Sequence, residues 1–141
     1  MKKDTNELLE ELNSFSSFNG FIEENREEIS SIPVSRYIES IIEEKGLSKS
    51  KIIEKAEMSE VYGYQIISGI KKNPKRKKIL CLAFGMELTF EETQDMLKKT
   101  GYAPLYPKNE FDVVLIYGLC KKLSIVEVNN LLFEYGQETL G

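Results

Sequence analysis

The chain repeats itself with a period of 35 residues. The segment 79–97 aligns with the segment 114–132, and each copy reads as a helix, a short turn and a second helix. The second helix of each copy opens with a capping box, in which a hydroxyl and a carboxylate satisfy the first free backbone N–H groups. The boxes consist of Thr89 with Glu92 and of Ser124 with Glu127. Two helical hairpins in series are therefore predicted, and the copies are too few for a solenoid.

Prolines divide the rest of the chain. Pro104 and Pro107 exclude a helix from residues 102–109, which are predicted to link the two hairpins. Pro33 separates an acidic N-terminal region from the next predicted helix. The chain is therefore predicted to be all-α and to have three parts. These are an N-terminal helical arm (1–33), a central domain (34–100) and a C-terminal helical hairpin (101–141) that repeats the unit 79–105.

Residues 47–74 read as two short helices joined by a tight turn. Ser48 and Ser59 are suited to cap these helices, and Gly69 is suited to end the second one. Only about three residues separate the helices, which favours a sharp crossing over an antiparallel hairpin. The helix after Ser59 would direct free N–H groups and the positive end of its dipole outward, where a phosphate could be held.

This stretch and its flanks resemble the lambda-repressor-like helix-turn-helix domains, the Cro and XRE family. The shared features are a Leu-Ser opening, a Ser before the recognition helix, an Ile late in that helix, a Gly that ends it, and an Asn-Pro pair before a helix with a Leu-Ala pair. In this chain they are Leu47, Ser48, Ser59, Ile66, Gly69, Asn73, Pro74, Leu82 and Ala83. The resemblance covers residues 35–97 and implies a lambda-repressor-like bundle that binds double-stranded DNA and regulates transcription, generally as a homodimer.

The resemblance also implies which residues meet DNA. The outward N-terminal part of the recognition helix would lie at base edges or at the nearest phosphates, and Gln65 can form two hydrogen bonds with adenine. The N-terminus of the preceding helix would meet the sugar–phosphate backbone. The expected contacts are Ser59, Glu60, Val61, Tyr62 and Gln65 from the recognition helix, and Ser48 and Lys49 from the preceding helix.

Positive charge is concentrated in the same region. Residues 47–100 carry 11 basic and 7 acidic groups, a charge of +4, although the whole chain carries −4. Six of the eight residues in 71–78 are basic, and such a run is either a solvated loop or a phosphate-binding surface. Its place after a recognition-like helix favours phosphate contacts. The residues predicted to make them are Lys71, Lys72, Lys75 and Arg76.

The sequence departs from the family pattern at three positions. Glu57 stands where the family has a turn Gly, so the turn is either strained by about 1 kcal/mol or has a different geometry. Ile53 replaces a small Ala, and Gly63 replaces a buried Ile. We interpret the last two changes as one compensated exchange, in which a bulky side chain enters from the opposite helix.

Composition argues against an enzyme. The chain has no histidine, no clustered thiols and no Gly-rich phosphate loop, so neither catalytic residues nor a metal or cofactor is predicted. Cys81 and Cys120 lie among apolar residues and are expected to be small buried core residues. Without a signal-peptide pattern or an apolar run of about 18 residues, the protein is expected to be cytoplasmic and to have no membrane partner.

A function of another class stays open, in which the fold is a protein-interaction adaptor or an antitoxin-like partner without strong DNA binding. Its support is the acidic overall charge and Glu60, a carboxylate that phosphate repels unless it accepts a hydrogen bond from cytosine. A protein partner would bind the C-terminal hairpin or the N-terminal arm. The arm carries Phe15, Phe18 and Phe21, which are otherwise expected to pack on the main core.

Overall fold

The computed structural model of the chain describes residues 5–7, 10 and 31–141. Residues 5–7 and 10 are helical, and the three phenylalanines of the predicted N-terminal arm lie outside the described residues. The chain divides into two compact units, Met1–Ser31 and Ile32–Gly141. The central region and the C-terminal hairpin thus belong to one unit.

Seven α-helices make up the unit Ile32–Gly141, and the described part of the chain contains no strand, which confirms the all-α class. The helices are α1 (Val34–Lys45), α2 (Lys49–Lys55), α3 (Glu60–Ser68), α4 (Arg76–Gly85), α5 (Phe90–Lys99), α6 (Glu110–Cys120) and α7 (Ile125–Glu134). None of the described helices combines the length and the apolar character needed to cross a membrane.

Four of the connections between helices have the same construction. A residue with positive φ is followed by an apolar residue and then by the Ser or Thr that precedes the next helix. The amide of the apolar residue donates to the carbonyl five residues earlier, as from Met58 to Ile53 (3.3 Å), which is a Schellman helix end. The left-handed residues are Gly46, Glu57, Glu87 and Lys122. Glu57 has a φ of 53°, so the turn between α2 and α3 is left-handed at this residue and carries the strain expected of a side chain there.

The 35-residue period extends to individual hydrogen bonds. Both predicted capping boxes are present, at the starts of α5 and α7. The side-chain amide of Gln94 accepts from the Leu105 N–H (2.7 Å) and donates to the Leu105 carbonyl (3.0 Å). Asn129, 35 residues later, holds Leu140 in the same way, at 2.7 and 3.1 Å. Each hairpin therefore fixes the chain that follows it with an amide clamp.

Helix α4 lies at the centre of the core, and every residue from Ile79 to Gly85 is buried. Helix α2 packs against it where Gly85 leaves room. A Cβ atom at Gly85 would collide with the Ile52 carbonyl oxygen and would lie 3.0 Å from the Ala56 Cβ. On another side, the Phe84 ring approaches Gly118 of α6. Close helix packing on both sides accounts for the full burial of α4.

Helix α1 covers α5. The Tyr37 hydroxyl donates to the Asp95 carboxylate (2.6 Å), and Lys45 pairs with Glu92 (2.8 Å). Just before α1, the Ile32 amide donates to the Lys99 carbonyl (2.8 Å). Contacts between residues far apart in sequence thus hold the start of the unit against the hairpin formed by α4 and α5.

The exchange between Ile53 and Gly63 is confirmed. A Cβ atom at Gly63 would lie 2.7–2.9 Å from three side-chain carbons of Ile53, so the isoleucine occupies the space that Gly63 leaves open. The predicted roles of the two cysteines are only half right. Cys81 is buried, and burial raises the pKa of its thiol, whereas Cys120 is exposed. The prediction for Cys120 was wrong because no described residue covers its side of α6.

Candidate nucleic-acid interface

Helix α3 presents its outer side to solvent. Its inner face, formed by Gly63, Ile66 and Ile67, is buried against the core. On the outer side Glu60 is exposed, Val61 is 71% exposed, and Gln65 is half-buried. The Ser59 hydroxyl accepts from the Tyr62 amide (3.3 Å) and caps the helix, and the left-handed Gly69 ends it, both as predicted.

The lysines after α3 lie beside this outer side. The Lys71 amide donates to the Gln65 carbonyl (2.9 Å), so the chain turns back along the helix it has just left. The ammonium of Lys71 lies 5.9 Å from the centroid of the Tyr62 ring, and that of Lys78, on α4, lies 5.6 Å from it. Tyr62 thus holds two cations through cation–π contacts, beside the exposed first turn of α3.

A tyrosine of the linker between the hairpins forms a hydrogen bond with the loop that carries the lysines. The Tyr102 hydroxyl donates to the carbonyl of the buried Pro74. Burial, with a smaller contribution from the nearby Tyr62, raises the pKa of Tyr102, so this donor keeps its proton at neutral pH. The loop 70–75 is therefore fixed at one point while its lysines stay at the surface.

The carboxylates of the described residues do not neutralise these lysines. Among the described residues, none forms an ion pair with Lys71, Lys72, Lys75 or Lys78. An anion bound to these lysines would not have to displace a carboxylate of the described residues, and the phosphate backbone of a nucleic acid is a polyanion that could span several lysines.

Arg76 differs from the other predicted phosphate contacts because it points into the protein. Its guanidinium forms two hydrogen bonds with the Asp112 carboxylate, at 3.1 and 3.0 Å, and donates to the carbonyls of Ala103 (2.9 Å) and Pro104 (3.1 Å). Asp112 is buried, so releasing the arginine would leave an unpaired charge in the core. Arg76 joins the C-terminal hairpin to α4. We therefore leave Arg76 out of the candidate nucleic-acid interface.

The two predicted contacts at the start of α2 are exposed. Ser48 occupies the position before the helix, but its hydroxyl contacts the Ser50 hydroxyl (3.0 Å) and not a backbone N–H. Lys49 pairs with Glu39 of α1 (3.1 Å), and both side chains are about half exposed. A phosphate would have to compete with this carboxylate, which makes Lys49 a weaker contact than the lysines near Tyr62.

Two residues beside α3, the half-buried Lys78 and the exposed Ile70, were not among the predicted contacts. Lys78 was noted only as a member of the basic run, and its place at the start of α4 brings it back to Tyr62. Ile70 follows the glycine that ends α3 and is 75% exposed. An isoleucine between a helix-ending glycine and a basic run was the available signal.

A groove of about 530 Å³ lies where the turns after α2, α4 and α6 meet. It is lined by Glu57, Glu87 and Lys122, which are the left-handed residues other than glycine in the described part of the chain. Lys55 pairs with Glu87 at its rim and lowers the pKa of that carboxyl. Carboxylates outnumber ammonium groups around this groove, so it is unsuited to phosphate.

Comparison with known proteins gives no further guidance, since no protein-family model, curated protein or solved structure matches the chain.

Proposed function

We propose that this protein binds double-stranded DNA by placing α3 in the major groove, and that it regulates transcription in this way. The observation that carries the proposal is the pair of lysines held over Tyr62, for which the described residues supply no carboxylate partner, beside the exposed first turn of α3. The tight turn between α2 and α3, with its capped helix start, supports the lambda-repressor-like assignment made from the sequence.

The dimensions and side chains of α3 suit this role. Helix α3 has nine residues and is about 14 Å long, and an α-helix with its side chains, about 10–12 Å in diameter, fits a major groove about 12 Å wide. Gln65 is assigned to an adenine, and the exposed Val61 suits contact with a thymine methyl group. Glu60 would read a cytosine, whose amino group can donate a hydrogen bond to a carboxylate. The lysines supply affinity, and these three side chains supply selectivity.

The phosphate contacts are tested by a matched pair of triple variants. Lys71, Lys72 and Lys78 are changed to Gln in one protein, and Lys98, Lys108 and Lys122 in the other. Both lose the same charge, but only the first loses lysines beside α3. Binding to a random-sequence duplex is measured over a range of salt concentrations. The first variant should flatten the slope of log affinity against log salt by about 0.9 per lost contact, and the second should leave it unchanged.

The base contacts are tested by Gln65→Ala on a site selected from a random DNA pool. The loss should be about 1–3 kcal/mol on that site, with relaxed selectivity at one base pair and little change on random DNA. Glu60→Gln is the companion variant. It should strengthen binding to random DNA, because it removes a charge that phosphate repels, and should weaken any preference for cytosine. Equal slopes in the two triple variants, with no effect of Gln65→Ala, would refute the DNA proposal.

The exposed apolar residues near α3 favour a second candidate, the protein-interaction adaptor. Val61 and Ile70 expose most of their surface, and a protein partner could cover them. Ile70→Ser separates the two functions. It removes an apolar contact but no charge, so it should leave the salt-dependent DNA affinity unchanged. It should weaken the binding of a protein partner only if that partner covers this side.

A further inference from the structure

The outer face of α6 is apolar and open to solvent. Val113 is 42% exposed and Tyr117 is 51% exposed, and these two residues lie one helical turn apart on the side opposite the core. Charged residues flank them at the two ends of the helix. Glu110 lies at the N-terminal end, and Lys121 lies at the C-terminal end with its ammonium 5.9 Å from the centroid of the Tyr117 ring.

The same face of the repeat is covered in its first copy. Positions 113, 117 and 120 correspond, at an offset of 35, to Lys78, Leu82 and Gly85 of α4. Leu82 is completely buried, and Gly85 lets α2 approach so closely that a Cβ atom there would collide with it. In the first copy, a helix therefore packs on this face of the hairpin. In the other copy no helix of the described residues covers it.

The arrangement of charge along α6 indicates which helix would fit. If a second α6 lies antiparallel to the first, with the two-fold axis near Leu115 and Ile116, Val113 of one copy faces Tyr117 of the other. The same register places Glu110 opposite Lys121 at both ends of the contact. A parallel arrangement would bring the two glutamates together and the two lysines together. Only the antiparallel arrangement therefore joins the apolar residues and also places opposite charges together at both ends.

We propose that α6 pairs with α6 of a second copy of this chain, antiparallel and around a two-fold axis, with Val113 and Tyr117 at the centre and Glu110 against Lys121 at each end. This surface is formed by the second hairpin, and it lies apart from the lysines around Tyr62. The inference does not depend on DNA binding and holds or fails separately from it.

Cys120 allows a direct test by cross-linking. The proposed register brings Cys120 of one copy close to position 110 of the other, so Glu110→Cys should form a disulfide between chains. Within one chain, positions 110 and 120 lie about 15 Å apart along a rigid helix, which is too far for a disulfide. The buried Cys81 does not compete. After mild oxidation, a non-reducing gel should show this variant mainly as a covalent dimer.

The matched control is Glu134→Cys, which places an exposed thiol on α7 away from the α6 face. Wild-type protein is a second control, because the two Cys120 residues of a pair would lie at opposite ends of the contact. Covalent dimer from Glu110→Cys should exceed that from either control by at least about tenfold, since only this variant aligns two thiols. Similar yields from the two cysteine variants would overturn the proposed register.

A charge exchange tests the same pairing without cysteines. Glu110→Lys and Lys121→Glu should each raise the dimer dissociation constant by about 3–10-fold, because each creates two like-charge contacts. Combining the two should return the constant to within about twofold of wild type, since the pairs are restored with reversed sign. Sedimentation equilibrium measures the constant, and the thermal transition of dilute protein checks that the variants fold.

Tyr117→Asp tests the centre of the contact. It should raise the dissociation constant by more than about tenfold, because a carboxylate would be buried without a partner. Additive effects of the two charge changes would overturn the proposal. A wild-type chain that sediments as a monomer at millimolar concentration would also overturn it.

Discussion

The two copies of the repeated hairpin, α4–α5 and α6–α7, share a backbone but differ in surroundings. Both have a left-handed turn, a capping box and an amide clamp at matching positions. The first copy is covered by α1 and α2, whereas the second leaves Val113 and Tyr117 in solvent. Local hydrogen bonds therefore define the hairpin itself, and the elements around it decide which of its faces become core.

The largest difference in unfolding free energy is expected when one matching side chain in each copy is shortened to alanine. Leu82→Ala in α4 should cost about 2–5 kcal/mol of unfolding free energy, because it leaves a cavity between α4 and α2. Tyr117→Ala, the matching change in α6, should cost less than about 1 kcal/mol in dilute protein, because the ring is half exposed. Urea unfolding measures both values. Equal losses would show that the two faces are equally buried in solution.

The two amide clamps should contribute equally to the free energy of unfolding. Gln94→Ala and Asn129→Ala each remove two hydrogen bonds to a buried leucine backbone, and each should cost about 1–3 kcal/mol. Amide hydrogen exchange should accelerate at Leu105 in the first variant and at Leu140 in the second. Each variant is the control for the other. Acceleration at both sites in both variants would mean that the hairpins open together.

The contact between α1 and α5 should give the first hairpin a pH dependence that the second lacks. Burial first, and then the hydrogen bond to Asp95, raise the pKa of Tyr37. The folded state thus favours the neutral phenol. Its contribution is complete below the ordinary tyrosine pKa of about 10 and is lost as pH rises through the raised value.

Tyr37→Phe should remove that alkaline loss at a cost of about 1 kcal/mol near neutral pH. Unfolding free energy, measured from neutral pH upward, should fall more steeply for wild type than for the variant above about pH 10. Tyr102 is present in both proteins and cancels in the comparison. Parallel curves would contradict the role given to Tyr37.

The smallest effects are expected at the left-handed turn residues. Lys122→Gly should stabilise the fold by a few tenths to about 1 kcal/mol, because glycine adopts positive φ without a steric penalty. Glu87→Gly should gain less, since it also removes the exposed ion pair with Lys55. Lys122→Ala keeps the strain and is the control. A gain from alanine equal to that from glycine would show that backbone strain is not the cause.

Features set by residues near one another in sequence could be predicted from the sequence. The capping boxes, the 35-residue period and the glycine that ends α3 all depend on short spacings, and the structure contains each of them. The exchange of Ile53 and Gly63 was also predictable, because the two helices that carry them are joined by a tight turn. The all-α class follows from these patterns together.

Features set by distant partners could not be predicted. The partner of Arg76 is Asp112, 36 residues later, and nothing in the basic run distinguishes an inward arginine from an outward lysine. Cys120 was assigned to the core because helical periodicity identifies an apolar face without showing whether anything covers it. The lysines around Tyr62 fall between these cases. Their charge was evident in the sequence. The sequence does not show the path of the loop, which brings two of them close to the same ring.

The docking of α1 on α5 has a consequence for the order of folding. Tyr37 and Asp95 are 58 residues apart, whereas the hairpins close over short loops. Closing a long loop costs more chain entropy, so the hairpins should form early and α1 should attach after the main barrier. Weakening this attachment should speed unfolding and leave the refolding rate nearly unchanged. Helix α1 is then the element whose release governs how long the native state persists.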